Sequence, residues 1–282
     1  MILITGATGN VGRALVRVLD QEGADVRVLV RDRDRAAELP VRAERAVGDL
    51  TVPETLEPVF RGVDRVFLLT QGIGVDQAAN AVAAARAAGV RHIVLLSSMN
   101  VIPDPMPAMG HWHHAREQLL LDSGIPTTFL RPGGFATNAL EWAGTIRAGG
   151  YVLDPTGPGR FSMIDPADIA AVAAVTLLQD GHQGRAYAPT GDETGTVADH
   201  VSTLAAALGR PIEVRTAATP EEAVQARYPQ GAPPALAAAI LEGFTMMRAD
   251  TVGFRTDDVE RLLGRRPLGF AQWCARNIDF FS

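Results

Sequence analysis

Apolar positions in the first two thirds of the chain follow two alternating rhythms. Residues 2–5 form a short apolar run ending in glycines, after which Val11, Leu15, Val18 and Leu19 recur at helical spacing until Gly23 stops them. That pattern predicts strand, turn and helix. Val26, Val28 and Val30 alternate as a second strand. Residues 66–69 and 93–96 are unbroken apolar runs, as expected of parallel strands buried on both faces. Helical stretches separate them, one at 78–88 closed by Gly89 and one at 110–123 closed by Gly124. Residues 127–131 form a further strand, broken by Pro132-Gly133-Gly134. Strands alternating with helices predict an α/β protein with a doubly wound parallel sheet.

The pattern then changes. Asp165-Pro166-Ala167-Asp168 is a helix start, with an N-cap carboxylate, proline at the first helical position and an acid in the first turn. Residues 185–189 read as a last strand. From about Thr196 the chain is helix-rich, with Thr219-Pro220-Glu221-Glu222 as a capping box and Thr256-Asp257-Asp258 as another cap. The division expected is a sheet domain over 1–132, to which 160–190 returns, and a smaller, mostly helical substrate lobe from 133–159 and 191–282. Pro103, Pro105 and Pro107 suggest a stiff loop where a lid would sit, and 150–161 is expected to be a mobile connection.

Composition narrows the classes. At 282 residues, 47% hydrophobic and 21% charged, the chain is a folded globular one, neither disordered nor a membrane bundle. The longest apolar helix, at 235–247, is too short to span a bilayer and is broken by Glu242 and Gly243. A net charge of -6 with scattered basic residues argues against nucleic acid as a direct partner. All 26 basic residues are arginine, which excludes any mechanism that needs a lysine ammonium or Schiff base. The single Cys274 permits no internal disulfide, and residues 1–5, read as a strand, are expected to leave no room for a signal peptide. The expected setting is the cytoplasm.

Candidate chemistry begins between the first strand and first helix, where Gly6-Ala7-Thr8-Gly9-Asn10-Val11-Gly12 lies. Glycines there permit a tight turn and a close approach of backbone to a pyrophosphate, and the helix N-terminus offers free N–H groups. The spacing is one residue longer than G-x-G-x-x-G, so the strand-loop-helix context carries the reading more than the pattern does. At the end of the second strand an NAD enzyme places Asp or Glu for the ribose 2′-OH, whereas Arg suits a 2′-phosphate. Here Val30 is followed by Arg31, with Arg33 or Arg35 as a second clamp, and NADP(H) is expected over NAD(H). A solvated Arg/Asp turn is the plainer alternative.

Together Thr5-Gly6-Ala7-Thr8-Gly9-Asn10-Val11-Gly12, Val30-Arg31-Asp32, Gly48-Asp49-Leu50, Ser97-Ser98, Ser123-Gly124-Ile125-Pro126 and Leu130-Arg131-Pro132-Gly133-Gly134-Phe135 resemble the NmrA-like, atypical short-chain dehydrogenase/reductase family. The likeness covers nearly the whole chain, through Phe270-Ala271-Gln272-Trp273, and implies a Rossmann fold. Family members include quinone reductases, reductases of aromatic substrates and non-catalytic NADP-sensing regulators. The resemblance implies Asp49 and Leu50 beside the adenine, Leu69, Thr70 and Gln71 beside a cofactor ribose, and Ser97 and Ser98 near the nicotinamide. It also implies Met109 at the superfamily's tyrosine position and His113 at its lysine position, so the usual dyad is absent.

Hydride transfer mainly needs orientation, and an activated acceptor needs only a modest donor. Ser98 and His113 are the catalytic candidates, His113 because histidine titrates near neutrality. Phe135 and Asn138, with Met99, Asn100 and Trp142, are candidate walls for a flat, weakly polar substrate. A structural role for His113, and core packing for Trp142 and Met99, stay open. The run His111-Trp112-His113-His114 lacks the partners of a metal site, and Ser97-Ser98 lacks a G-x-S-x-G elbow. The expectation is an NADPH-dependent reductase of a small quinone, aromatic ketone or similar acceptor. The alternative is an NADP-sensing regulatory protein. A homodimer through an outer helix pair is compatible with either.

Overall fold

A computed structural model describes every residue of the chain except Val41, and at Arg35 the backbone alone. β1 (Ile2–Ile4) leads into α1 (Asn10–Gln21), β2 (Val26–Val30) and β3 (Glu44–Val47). α2 (Leu56–Phe60), β4 (Arg65–Leu68), α3 (Asp76–Ala88), β5 (His92–Leu96), α4 (Ala108–Asp122) and β6 (Thr127–Leu130) continue the alternation. Next come β7 (Gly134–Phe135), α5 (Ala143–Gly149), β8 (Tyr151–Asp154), β9 (Phe161–Ile164), α6 (Pro166–Leu178), β10 (Ala186–Tyr187) and β11 (Thr194–Gly195). The last third holds α7 (Val197–Leu208), β12 (Glu213–Thr216), α8 (Pro220–Arg227), α9 (Pro234–Arg248), α10 (Asp258–Leu263) and α11 (Phe270–Arg276).

Among the described residues the main sheet has seven strands in the order β10-β6-β5-β4-β1-β2-β3, with every neighbouring pair parallel. The order runs outward from β1 in both directions and so reverses between β1 and β4, where open α/β sheets hold their ligands at the carboxyl ends of the strands. Alternation along β1 divides the core: Ile2 and Ile4 pack with α1 and α6 on one face, and Leu3 with α2 and α3 on the other. Leu15 and Leu19 of α1 are fully buried against the sheet, each such burial stabilising by about 1.5–3 kcal/mol. This is the doubly wound Rossmann architecture expected.

The smaller sheets lie beyond β6. β7 pairs with β9 and β9 with β11, while β8 pairs in parallel with β12. A third core joins α5, α7 and α11 through Ile146, Val201, Leu204 and Trp273. α10 crosses back to pack on α6, and its Val259 is buried with β1 and α1. Two buried carboxylates of α6 hold the tail: Asp165 caps the helix through Ala167 N at 2.9 Å and also takes Arg276, and Asp168 takes Arg265 at 2.7 Å and Leu268 N at 2.6 Å.

Two local expectations differ from the structure, and a third gains a contact. The 150–161 connection is packed, not loose: β8 is paired, Asp154 Oδ1 accepts from Thr156 N at 2.7 Å and Gly157 N at 3.0 Å, and a Cβ on Gly159 would fall 1.8 Å from the Met247 carbonyl. At α10 the residue before the helix, Asp257, makes no cap bond. Thr256 and Asp258 instead grip the chain after β10, Asp258 accepting from Ala188 N at 2.6 Å. The proline loop after β5 is pinned at its end, where α4 starts with no side-chain cap of its own and Glu242 of α9 accepts from Ala108 N at 2.7 Å. No helix among the described residues is long and apolar enough to cross a membrane.

Candidate active site

The glycine loop leaves β1 through Gly6, whose φ of +63° suits glycine, and Gly9 N donates to the Gly6 carbonyl at 3.0 Å. α1 then begins at Asn10 with no side-chain cap. A Cβ on Gly12 would lie 2.2 Å from the Gly6 oxygen, so helix and loop touch backbone to backbone. Asn10, Val11 and Gly12 therefore start a helix whose first amides and positive dipole end face outward, the arrangement that takes a phosphate.

Beside the loop a cavity of about 200 Å³ opens at the switch point. Gly6 and Thr8 reach it from the loop, Arg31 and Asp32 from the end of β2, Asp49 and Leu50 from beyond β3, and Leu69 and Gln71 from the end of β4. Thr5 fastens β1 to β4 here, its hydroxyl donating to Leu69 O at 2.9 Å and accepting from Leu69 N at 2.7 Å. Thr51 donates both its N–H and its hydroxyl to Asp49 Oδ1 at 2.8 Å. These bonds, with Arg31 nearby, hold the Asp49 carboxyl below the usual carboxylate range. Asn80 donates to Leu50 O at 2.8 Å, and Gln71 N to Gln77 at 2.8 Å, so α3 braces the far wall.

Arg31 is exposed on the cavity rim and forms no ion pair among the described residues, while Asp32 accepts from Asp34 N at 2.9 Å. A phosphate-sized anion beside the glycine loop would therefore meet an uncommitted guanidinium. Arg33, exposed just before the following 3-10 turn, and Thr70, half-buried after β4, lie outside the cavity lining. The Arg35 side chain lies outside the described part. The loop and its glycine cradle together fit a dinucleotide.

A second group of the expected site residues is assembled on α4. Ser97 at the end of β5 donates to Glu117 Oε1 at 2.6 Å, and Arg131 at the end of β6 grips the same carboxylate twice, at 3.0 and 2.6 Å. Glu117 is only 2% exposed. The Ser97 hydroxyl thus turns into α4, and its N–H donates to Leu130 O at 2.7 Å. Ser98 caps the 3-10 turn Met99–Val101 by accepting from Asn100 N at 3.2 Å. Asn100 Nδ2 lies 4.0 Å from Met109 Sδ, and a Cβ on Gly110 would fall 2.1 Å from Asn100 O, so α4 rests on this turn.

Met109 and Glu117 stand one turn before and after His113, and both touch the 97–100 segment. His113 accordingly lies on the side of α4 that rests on that segment. Arg116, 3% exposed, reaches from α4 to the loop after β4, donating to Gly74 O at 3.0 Å and to Gly72 O. Burial first, and the Arg116 charge second, push His113 down to about 4. The expectation of a histidine titrating near neutrality is thus corrected: at pH 7 the ring is neutral. Met99 lies against Gly133, its sulfur 3.3 Å from where a Cβ would be. Phe135 packs on the main-sheet core and Trp142 on the small-lobe core, while Asn138 is exposed. None of these substrate-side residues lines the cavity beside the glycine loop.

The glutamate–arginine pair, the Arg116 clasp and the Glu242 cap were not anticipated from the sequence, and only the fold joins them. Among the described residues no cluster of three His, Cys, Asp or Glu could hold a metal.

Residues 6–180 match the family model described as NAD(P)H-binding. The whole chain is 37% identical over 285 residues to the NAD(P)H azoreductase of Xenophilus azovorans, covering 99% of that protein. It is likewise 37% identical over 285 residues, 100% of this chain and 99% of the relative, to the (4-alkanoyl-5-oxo-2,5-dihydrofuran-3-yl)methyl phosphate reductase of Streptomyces griseus. An NADPH-dependent quinone oxidoreductase of Escherichia coli, solved with NADPH, superposes with a TM-score of 0.87 at 25% identity, over 99% of this chain and 100% of that one.

Proposed function

Since the chain belongs to the NAD(P)H-binding family, in its NmrA-like branch, we propose that it is an oxidoreductase reducing small quinone, azo or similarly activated aromatic acceptors with NADPH. The observation that carries this reading is the pairing of the Gly6–Gly12 cradle with an uncommitted Arg31 on one cavity. The amides at the start of α1 hold the pyrophosphate, Arg31 takes the 2′-phosphate, and Asp49 and Leu50 flank the adenine. Leu69, Thr70 and Gln71 flank the cofactor ribose, and the backbone at Ser97 supports the nicotinamide. Bound there, a reduced nicotinamide supplies hydride.

The remaining work falls to residues on and around α4. Met99, Asn100, Phe135, Asn138 and Trp142 hold a flat acceptor by apolar contact and one or two amides. Ser98 Oγ accepts from Asn100 N and keeps its own O–H to donate to the acceptor atom as charge gathers there. No tyrosine is needed, because the anion of a quinone or azo acceptor is stable enough for solvent to protonate. The setting proposed is the cytoplasm, which suits a single buried Cys274 whose thiol burial pushes up to about 12.

The test is a fluorescence titration with NADPH, NADP⁺, NADH and NAD⁺, followed by turnover on a panel of quinones, azo dyes and unsaturated lactones. NADPH should bind at least about tenfold tighter than NADH, a difference of about 1.4 kcal/mol, and be consumed one for one with acceptor. Binding without turnover on every acceptor would move the chain to the sensor reading, and no binding at all would end both.

A further inference from the structure

The imidazole of His113 is asymmetrically placed. Its Nδ1 is fully enclosed and meets no hydrogen-bond partner, whereas Nε2 is neither enclosed nor bonded within the described residues. A neutral imidazole carries its one hydrogen on one nitrogen only. With the hydrogen on Nδ1, the ring would bury an unmet donor and present a bare lone pair outward. With it on Nε2, the ring buries a lone pair, and unmet acceptors are tolerated better than unmet N–H groups. The second tautomer is the lower in energy.

We infer that His113 is a fixed hydrogen-bond donor, presenting Nε2–H beside Ser98 to the atom of the acceptor that takes up negative charge during reduction. This rests on the proposed reductase reading. Hydride from NAD(P)H adds to one end of the acceptor's C=O, C=C or N=N bond, leaving NAD(P)⁺. The π electron pair settles on the other atom, and water supplies the proton that completes the product. Giving up the Nε2 hydrogen would leave an imidazolate, so His113 holds its proton throughout and works by hydrogen bonding alone.

The surroundings support a ring that stays neutral. Arg116 lies one turn along the helix, buried and bonded only to the Gly72 and Gly74 carbonyls, and its charge opposes a second proton on the imidazole. Glu117 pulls the other way, but Arg131 from β6 and Ser97 from β5 already occupy its carboxylate. Glu242 of α9 is engaged at the first turn of α4, on Ala108 N.

The test reads the tautomer and the function separately, on the NADP⁺-loaded protein. Nitrogen-15 NMR of histidine-labelled protein should show His113 protonated at Nε2 and unchanged from pH 8 to pH 5.5. Replacement by Gln, whose amide nitrogen reaches about where Nε2 stands, should keep kcat within about fivefold. His113→Ala should lower kcat by about 100-fold, the usual loss of one oxyanion donor, with NADPH affinity within twofold of the parent. A hydrogen on Nδ1, a titration midpoint near 6.5, or full activity in His113→Ala would overturn the inference. Failure of the parent itself to bind NADPH or reduce any acceptor would instead overturn the reductase reading, with the NMR result standing apart from it.

Discussion

The two halves of the site are built in different ways. The nucleotide half comes from short segments that each follow a strand directly: Gly6 after β1, Arg31 after β2, Asp49 after β3 and Leu69 after β4. Its shape is set by backbone, through a turn at Gly6 and a helix start at Gly12 too close for any side chain. The half proposed for the acceptor is held by side chains instead. α4 is tied to β5 and β6 through Glu117, to the loop after β4 through Arg116 and to the small lobe through Glu242. A parallel sheet thus provides a dinucleotide seat from its own geometry, whereas the reacting end depends on contacts spanning the chain. The first half should therefore be sensitive to bulk and the second to charge.

The largest effect is expected at Glu117. Removing one member of a buried ion pair leaves the other charge uncompensated, at a cost of about 3–5 kcal/mol. Glu117→Ala would strand Arg131 and free Ser97, so urea unfolding should show a loss of that size. A loss below about 1 kcal/mol would mean that water replaces the carboxylate and that α4 is not the beam described here.

How much of this was legible follows the same division. The alternation of strands and helices from β1 to β6 and the glycine loop were readable because each rests on contiguous apolar runs and their stops. β3 was not, since Glu44–Val47 is an edge strand with no buried residue to mark it. β7 and β11 are two residues each, too short for any period to show, whereas the equally short β10 falls inside the stretch 185–189 read as a strand. Glu117, Arg131 and Ser97 are 14 and 20 positions apart, so nothing local announces the triad. The neutral state of His113 was misjudged for a related reason: a sequence supplies a histidine's ordinary pKa, and burial belongs to the packing of α4.

Bulk at the nucleotide half is the next probe. In Gly12→Val the new side chain would begin 2.2 Å from the Gly6 oxygen, so loop and helix must separate. NADPH affinity should fall by about 100-fold or more, roughly 2.7 kcal/mol. Chemical-shift changes should stay within the loop and α1, because α4 takes no part in that contact. An unchanged Kd would show that the loop yields without disturbing the ligand, and the contrast between a backbone seat and a side-chain clamp would lose its sharper half.

The smallest effect distinguishes shape from charge within the seat itself. Arg31 lies on the rim, exposed and without an ion-pair partner among the described residues, so its loss should leave the fold and the glycine loop intact. Its expected role is confined to the 2′-phosphate, where one charge-assisted contact at an exposed site contributes about 1.5–2 kcal/mol. Arg31→Ala should therefore weaken NADPH by about 10- to 30-fold while leaving NADH within twofold, and the NADPH effect should shrink as salt rises. Equal weakening of both cofactors would assign Arg31 to the shape of the seat. An unchanged NADPH affinity would pass the phosphate to the helix amides alone, making the whole nucleotide half a matter of backbone.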